Sequence, residues 1–153
     1  MNAPSSALRG ILFAIVFIAL QVHPMGARAQ NRPENPPPAA CPAPQAVQSA
    51  DVVGLWRATF DTLPPATLLL EPHPELRQSV AGAVNRDGAR ALVAGDVDDG
   101  ELNLDESAGG VTIDAVWTGQ VSESSCGREI RGHWRRAGSD TRHAFVMRRI
   151  GGL

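Results

Sequence analysis

From Val52 to Ile150 apolar and polar residues alternate in short runs, and no stretch repeats its apolar positions with a helical period. The clearest run is Gly110 to Val121. Val111, Ile113, Ala115, Trp117, Gly119 and Val121 share one face of it, and Thr112, Asp114, Thr118 and Gln120 share the other. Strict alternation of this kind is the pattern of a half-buried β-strand. Seven more runs are bounded by turn residues: Val52 to Phe60, Ala66 to Glu71, Gln78 to Val84, Ala89 to Val97, Glu101 to Glu106, Arg128 to Arg136 and Arg142 to Arg149. Short strands at regular spacing predict an all-β domain, an eight-stranded antiparallel up-and-down meander closed into a barrel in preference to a sandwich.

The turns set the register, because a hairpin must keep one face apolar. A two-residue turn at Asp99-Gly100 pairs Val97 with Leu102 and Gly95 with Leu104. A turn at Asp87-Gly88 pairs Val93 with Gly82 and Gly95 with Val80, and the two agree on one inward face. A turn at Ala108-Gly109 would pair Leu104 with Ile113. A loop from Ala137 to Asp140 would pair Trp134 with His143, Gly132 with Phe145 and Ile130 with Met147. The inward face then carries Trp56, Phe60, Ile113, Trp117, Trp134 and Phe145 among aliphatic residues, with Gly54, Gly82, Gly95, Gly119 and Gly132 between them. Rings beside mid-strand glycines suit a tightly coiled closed sheet, since glycine permits the bend and the ring covers it.

Three segments divide the 153 residues. Residues 1–29 read as a signal peptide, with Arg9, the apolar run Ile11 to Val22 and the small-residue site Ala27-Arg28-Ala29. The run is short for a membrane span, so no span is expected after cleavage. Residues 30–49, with prolines from Pro33 to Pro44, read as an extended polyproline arm rather than a packed element. Residues 50–153 form the barrel domain. Export implies a periplasmic or secreted protein, and an oxidising compartment makes Cys41 and Cys126 a disulfide. That bond would draw the arm over one end of the barrel.

Every basic residue is Arg, which suggests a bacterial source. The cleaved chain carries twelve Arg against sixteen acidic residues, a charge near −4 with no basic cluster, and this excludes nucleic acid as a partner. Asp96, Asp98, Asp99 and Glu101 surround Gly100, where a calcium loop of the EF-hand type needs a ligand, so they read as a solvated hairpin tip. His73, His133 and His143 do not converge under the register above, and no metal or cofactor is expected. Ser122, Ser124 and Ser125 lack the strand-to-helix elbow of a nucleophilic serine. No catalytic residues can be assigned, and the chain reads as a non-enzyme.

Gly54-Leu55-Trp56, at the start of the first strand, resembles the G-x-W signature of the lipocalins. Trp117-Thr118-Gly119-Gln120 and Ile130 to Trp134 resemble the late strands of avidins, where tryptophans line a biotin pocket. The resemblance implies a calycin-like barrel that holds a small ligand inside. It departs from avidin in having no tyrosine and in placing Ile113 and Ala115 where pocket hydroxyls would stand, so biotin is not implied. The expected function is binding of a small, largely apolar ligand by Trp56, Trp117, Trp134, His143 and Phe145. The alternative is a protein-interaction module, such as an inhibitor of a secreted hydrolase or an envelope accessory protein. Small exported inhibitors are similar in size and cysteine count, and the stiff segments of the arm and of Pro72 to Leu76 would lose little entropy on docking.

Overall fold

The structure, a computed structural model, describes residues 41–151. The expected signal peptide, and the expected arm up to residue 40, lie outside the described residues. The strands are β1 (Gly54–Phe60), β2 (Ala66–Pro72), β3 (Ser79–Arg86), β4 (Ala89–Asp98), β5 (Glu101–Ser107), β6 (Ala115–Val121), β7 (Glu129–Arg136) and β8 (Arg142–Arg149). Each pairs antiparallel with the next, and β8 returns to β1, so the sheet closes as an up-and-down barrel. Closure leaves no edge strand to recruit another chain.

Three of the four expected hairpin registers are present. Val97 pairs with Leu102, Gly82 with Val93 and Trp134 with His143. Asp87 and Gly88 both have positive φ, as do Asp99 and Gly100, which is the geometry of the two-residue turn that matches strand twist. The fourth register is corrected: Leu104 pairs with Trp117, not with Ile113. Residues 108–114 leave the sheet as a loop. The Asp114 carboxylate accepts from the Ala108 N–H at 2.7 Å, and the Asp114 N–H donates to the Glu106 carbonyl at 2.8 Å. Held by its own polar residue, the loop puts Val111 at 93% exposure and Ile113 at 47%. Alternation continues through it in sequence, but the strand begins at Ala115.

The inward positions of β6 and β7 show how the sheet coils. A Cβ on Gly132 would collide with the Thr118 carbonyl and the Gly119 Cα, and one on Gly119 would lie 3.2 Å from the ring of Phe145. The strands therefore approach where both carry glycine, and Phe145 covers the gap.

Residues 41–53 close one end of the barrel. Cys41 is bonded to Cys126 in the β6–β7 loop, with the Cα atoms 4.6 Å apart. The segment then makes two 3-10 turns, Pro44–Ala46 and Ser49–Val52. Val47 and Val52 are buried in the core, and the Ser49 hydroxyl accepts from the Val97 N–H at 2.8 Å while donating to the Gln78 carbonyl at 2.7 Å. Gly100 is packed against the Pro44 carbonyl so closely that a Cβ there would stand 2.5 Å from it. Trp56 donates its indole N–H to the Val52 carbonyl at 2.7 Å. The guanidinium of Arg149 lies over that ring, 5.2 Å from its centroid, and bonds the Asp51 carbonyl. The expectation of an extended, unpacked arm is thus corrected for residues 41–49: beyond Pro44, the last proline of the arm, Val47 and Ser49 supply the apolar and hydrogen-bonding contacts that fold this part onto the barrel.

Candidate functional site

The two ends of the barrel are built differently. At the sealed end the inward residues are Leu70, Val80, Val97, Leu102, Val121, Ile130 and Met147, all buried. At the other end β2, β4 and β6 carry small inward residues, Ala66, Ala91 and Ala115, while the inward phases of the odd strands end in Phe60, Arg86, Glu106 and Arg136. Small side chains facing large ones leave room. A half-open cavity of about 640 Å³ lies there, lined by Arg86, Ala91, Glu106, Ile113, Ala115, Trp134 and Arg136, with Arg90 and Asp114 at its rim.

Glu106 is the centre of the cluster. It is 8% exposed, and its Oε2 accepts the indole N–H of both Trp117 and Trp134, each at 2.9 Å. A buried carboxylate needs such donors to replace water. Arg86 supplies the opposite charge, with Nη2 at 3.6 Å from the same oxygen, an ion pair beyond hydrogen-bond range. Its guanidinium lies between three rings, with Cζ 4.6 Å from the centroid of Trp134, 5.2 Å from that of Phe60 and 5.6 Å from that of Trp117. Cation–π attraction to a set of rings accounts for an arginine held inside an apolar barrel. Nε and Nη2 of Arg86 are nevertheless buried with no hydrogen-bond acceptor.

Of the five residues expected to bind ligand, Trp134 lines the cavity and Trp117 lies behind it on the same carboxylate. Phe145 packs edge-on against Trp117 at 5.1 Å, one layer deeper. His143 is half-buried beside Trp134, at 5.7 Å, and its Nδ1 is 2.7 Å from the Thr62 hydroxyl. Trp56 is not brought to this place. It belongs to the sealed end, where its N–H is committed to Val52. His133 faces outward on β7, and His73 accepts from the N–H groups of Glu75 and Leu76 in its own loop. Sequence reasoning missed Arg86 and Glu106, although both continue an inward phase: Val80, Gly82, Val84, Arg86 on β3 and Leu102, Leu104, Glu106 on β5.

Another depression, of about 560 Å³, lies outside β6 to β8 between Thr118, His133 and Val146. It is shallow and has no buried donor or acceptor aimed into it, so it carries no site.

No protein-family model matches this chain, and no curated protein matches it in sequence.

Proposed function

We propose that this chain is an exported, non-catalytic binding barrel that takes a small ligand with a largely apolar body at its open end. The observation that carries the reading is the contrast between the ends: one is closed by residues 41–53, and the other opens a cavity of about 640 Å³ onto Trp134, Arg86 and Glu106. Pockets that hold small molecules are mostly apolar with a few fixed polar groups, and Ala91, Ile113, Ala115 and Trp134 around one ion pair suit that description. The closed eight-stranded meander is compatible with a calycin-like barrel, in which the interior holds the ligand. The disulfide supports an oxidising compartment. No helix among the described residues is long and apolar enough to cross a membrane. Outward positions such as Arg57, Asp105, Gln120 and Arg131 are polar, unlike the apolar band of a lipid-facing barrel.

Tryptophan emission titrated with a panel of lipids, vitamins and aromatic acids tests the reading. A ligand should quench or shift the wild-type signal, and Trp134→Phe should lose most of that response. An unchanged spectrum across the panel would remove the proposal.

A protein-interaction role is favoured by a separate observation. Leu69, Ala83 and Leu92 are neighbours in register on the outer face of β2, β3 and β4, and Leu69 and Leu92 are 45% and 42% exposed, with Val111 nearby. Leu92→Asp should then abolish capture of a partner from envelope extract while leaving the fold intact.

A further inference from the structure

We infer that the open-end site takes an organic anion: a flat apolar body against Trp134 with a carboxylate or similar group bound by Arg86. The inference rests on the reading of that cavity as a binding site and adds the chemical class of its ligand.

Two features of Arg86 point to an anion. Nε and Nη2, the donors without an acceptor, are the adjacent pair on one edge of the guanidinium. That edge is the fork which takes both oxygens of a carboxylate in parallel N–H···O bonds. Glu106 does not fill it, since its Oε2 is committed to two indole N–H groups and stands 3.6 Å away. A buried guanidinium edge left unmatched is costly, and an incoming carboxylate removes that cost.

The rim adds charge of the same sign. Arg90 and Arg136 border the cavity and make no ion pair with any described residue. Two acids also line it, Glu106, bonded by the tryptophans, and Asp114, bonded by the Ala108 N–H, and both keep their charge. Three arginines thus stand against two carboxylates, and the net charge of the lining is positive although the chain as a whole is acidic. Such a local field draws anions in and orients them head first.

The body of the ligand is set by the walls. Ala91, Ile113 and Ala115 leave space without polar atoms, and Trp134 lines the cavity beside them. Binding requires the fork to turn toward the cavity, a swing of the Arg86 side chain that keeps it against the ring of Trp134. Three rings and a carboxylate could also hold a cation. Here that place is already taken by the guanidinium of Arg86 itself.

Isothermal titration of the full mature chain with 1-naphthylacetate, 1-naphthylacetamide and 1-naphthylmethylammonium separates these possibilities, since the ring is constant and the head carries negative, zero or positive charge. The acetate should bind roughly tenfold or more tightly than the amide, and the ammonium weakest. Arg86→Gln should erase the preference for the acetate. Arg136→Gln, on the exposed rim, should weaken the acetate by roughly two- to fivefold, with the loss shrinking as salt is added. Thermal unfolding shows whether Arg86→Gln is folded; if it is not, the Arg136→Gln result and the order of the three probes decide. Equal affinity for all three would overturn the anion assignment and leave the open-end site standing. Preference for the ammonium would overturn it in favour of a cation cage. No heat from any probe would remove the anion assignment and the reading of the cavity together.

Discussion

The Cζ of Arg86 lies 4.6 Å from the ring centroid of Trp134. The two residues come from β3 and β7, on opposite sides of the closed sheet, so their contact spans the mouth of the barrel. Both depend on Glu106, one for charge and one for a hydrogen bond. Glu106→Gln keeps an oxygen that can accept from the indoles but removes the charge, and should lower stability by about 1 to 3 kcal/mol. Glu106→Leu leaves two buried N–H groups and a guanidinium without a partner, and should cost about 3 to 5 kcal/mol. Urea unfolding of the two variants measures the difference, and equal losses would show that the indole bonds contribute nothing.

The Cys41–Cys126 bond closes a loop of sequence separation 85. Replacing both cysteines with serine should lower stability by about 2 to 5 kcal/mol while the far-ultraviolet signature of the strands persists. Wild-type protein unfolded without reductant should show no reactive thiol. Two thiols per chain would mean that the bond does not form in the purified protein.

Glu129 predicts a dependence on pH. Partial burial would raise its carboxyl, but hydrogen bonds from Arg131 and Ser122, and the charges of Arg131 and Arg148, outweigh burial and hold it below the ordinary value of 4.5. The Arg131 and Arg148 Nε atoms stand 2.7 and 2.8 Å from its two oxygens. A group lowered on folding stabilises the fold above its unfolded value and ceases to do so as pH falls through the folded one. Glu129→Gln should therefore be less stable than wild type at neutral pH, by under about 1 kcal/mol because both arginines are well exposed, and the gap should close below pH 4.5. A gap that stays constant down to pH 2 would show that the charge is not involved.

Val111 and Ile113 provide a contrast with their neighbour in the pattern, Ala115. Val111→Ser should change stability by less than about 0.5 kcal/mol, since its side chain is in solvent, and Ile113→Ser, at a half-exposed side chain, by about 1 kcal/mol at most. Ala115→Asp, at a 2% exposed inward position, should cost several-fold more. Thermal unfolding of the three variants checks the boundary between loop and strand.

Much of the fold was legible because glycine and aspartate mark the turns. Asp87-Gly88 and Asp99-Gly100 determine the registers of two hairpins, and the apolar phase of each strand follows from them. The β5–β6 connection was not legible in the same way. Alternation of Val111, Ile113 and Ala115 looks identical in a strand and in a loop, and the hydrogen bond from the Ala108 N–H to the Asp114 side chain, which decides the matter, has no periodic signature. The tryptophans of the site could be placed by phase. Arg86 and Glu106 could have been found by the same phase, but charged residues at strand ends are usually solvated, and only closure of the barrel brings these two together.

The position of the disulfide divides the barrel mechanically. Its covalent loop contains β1 to β6, and β7 and β8 lie beyond Cys126. A pull from the C-terminus would reach β8 first and separate it from β1 and β7, and then β7 from β6, before it reached the strands inside the covalent loop. The last two strands thus act as a clasp on a hoop of six. Arg86, Glu106 and Trp117 lie within the hoop and Trp134 on the clasp, so the mouth is lost when the clasp opens even though the covalent loop remains whole.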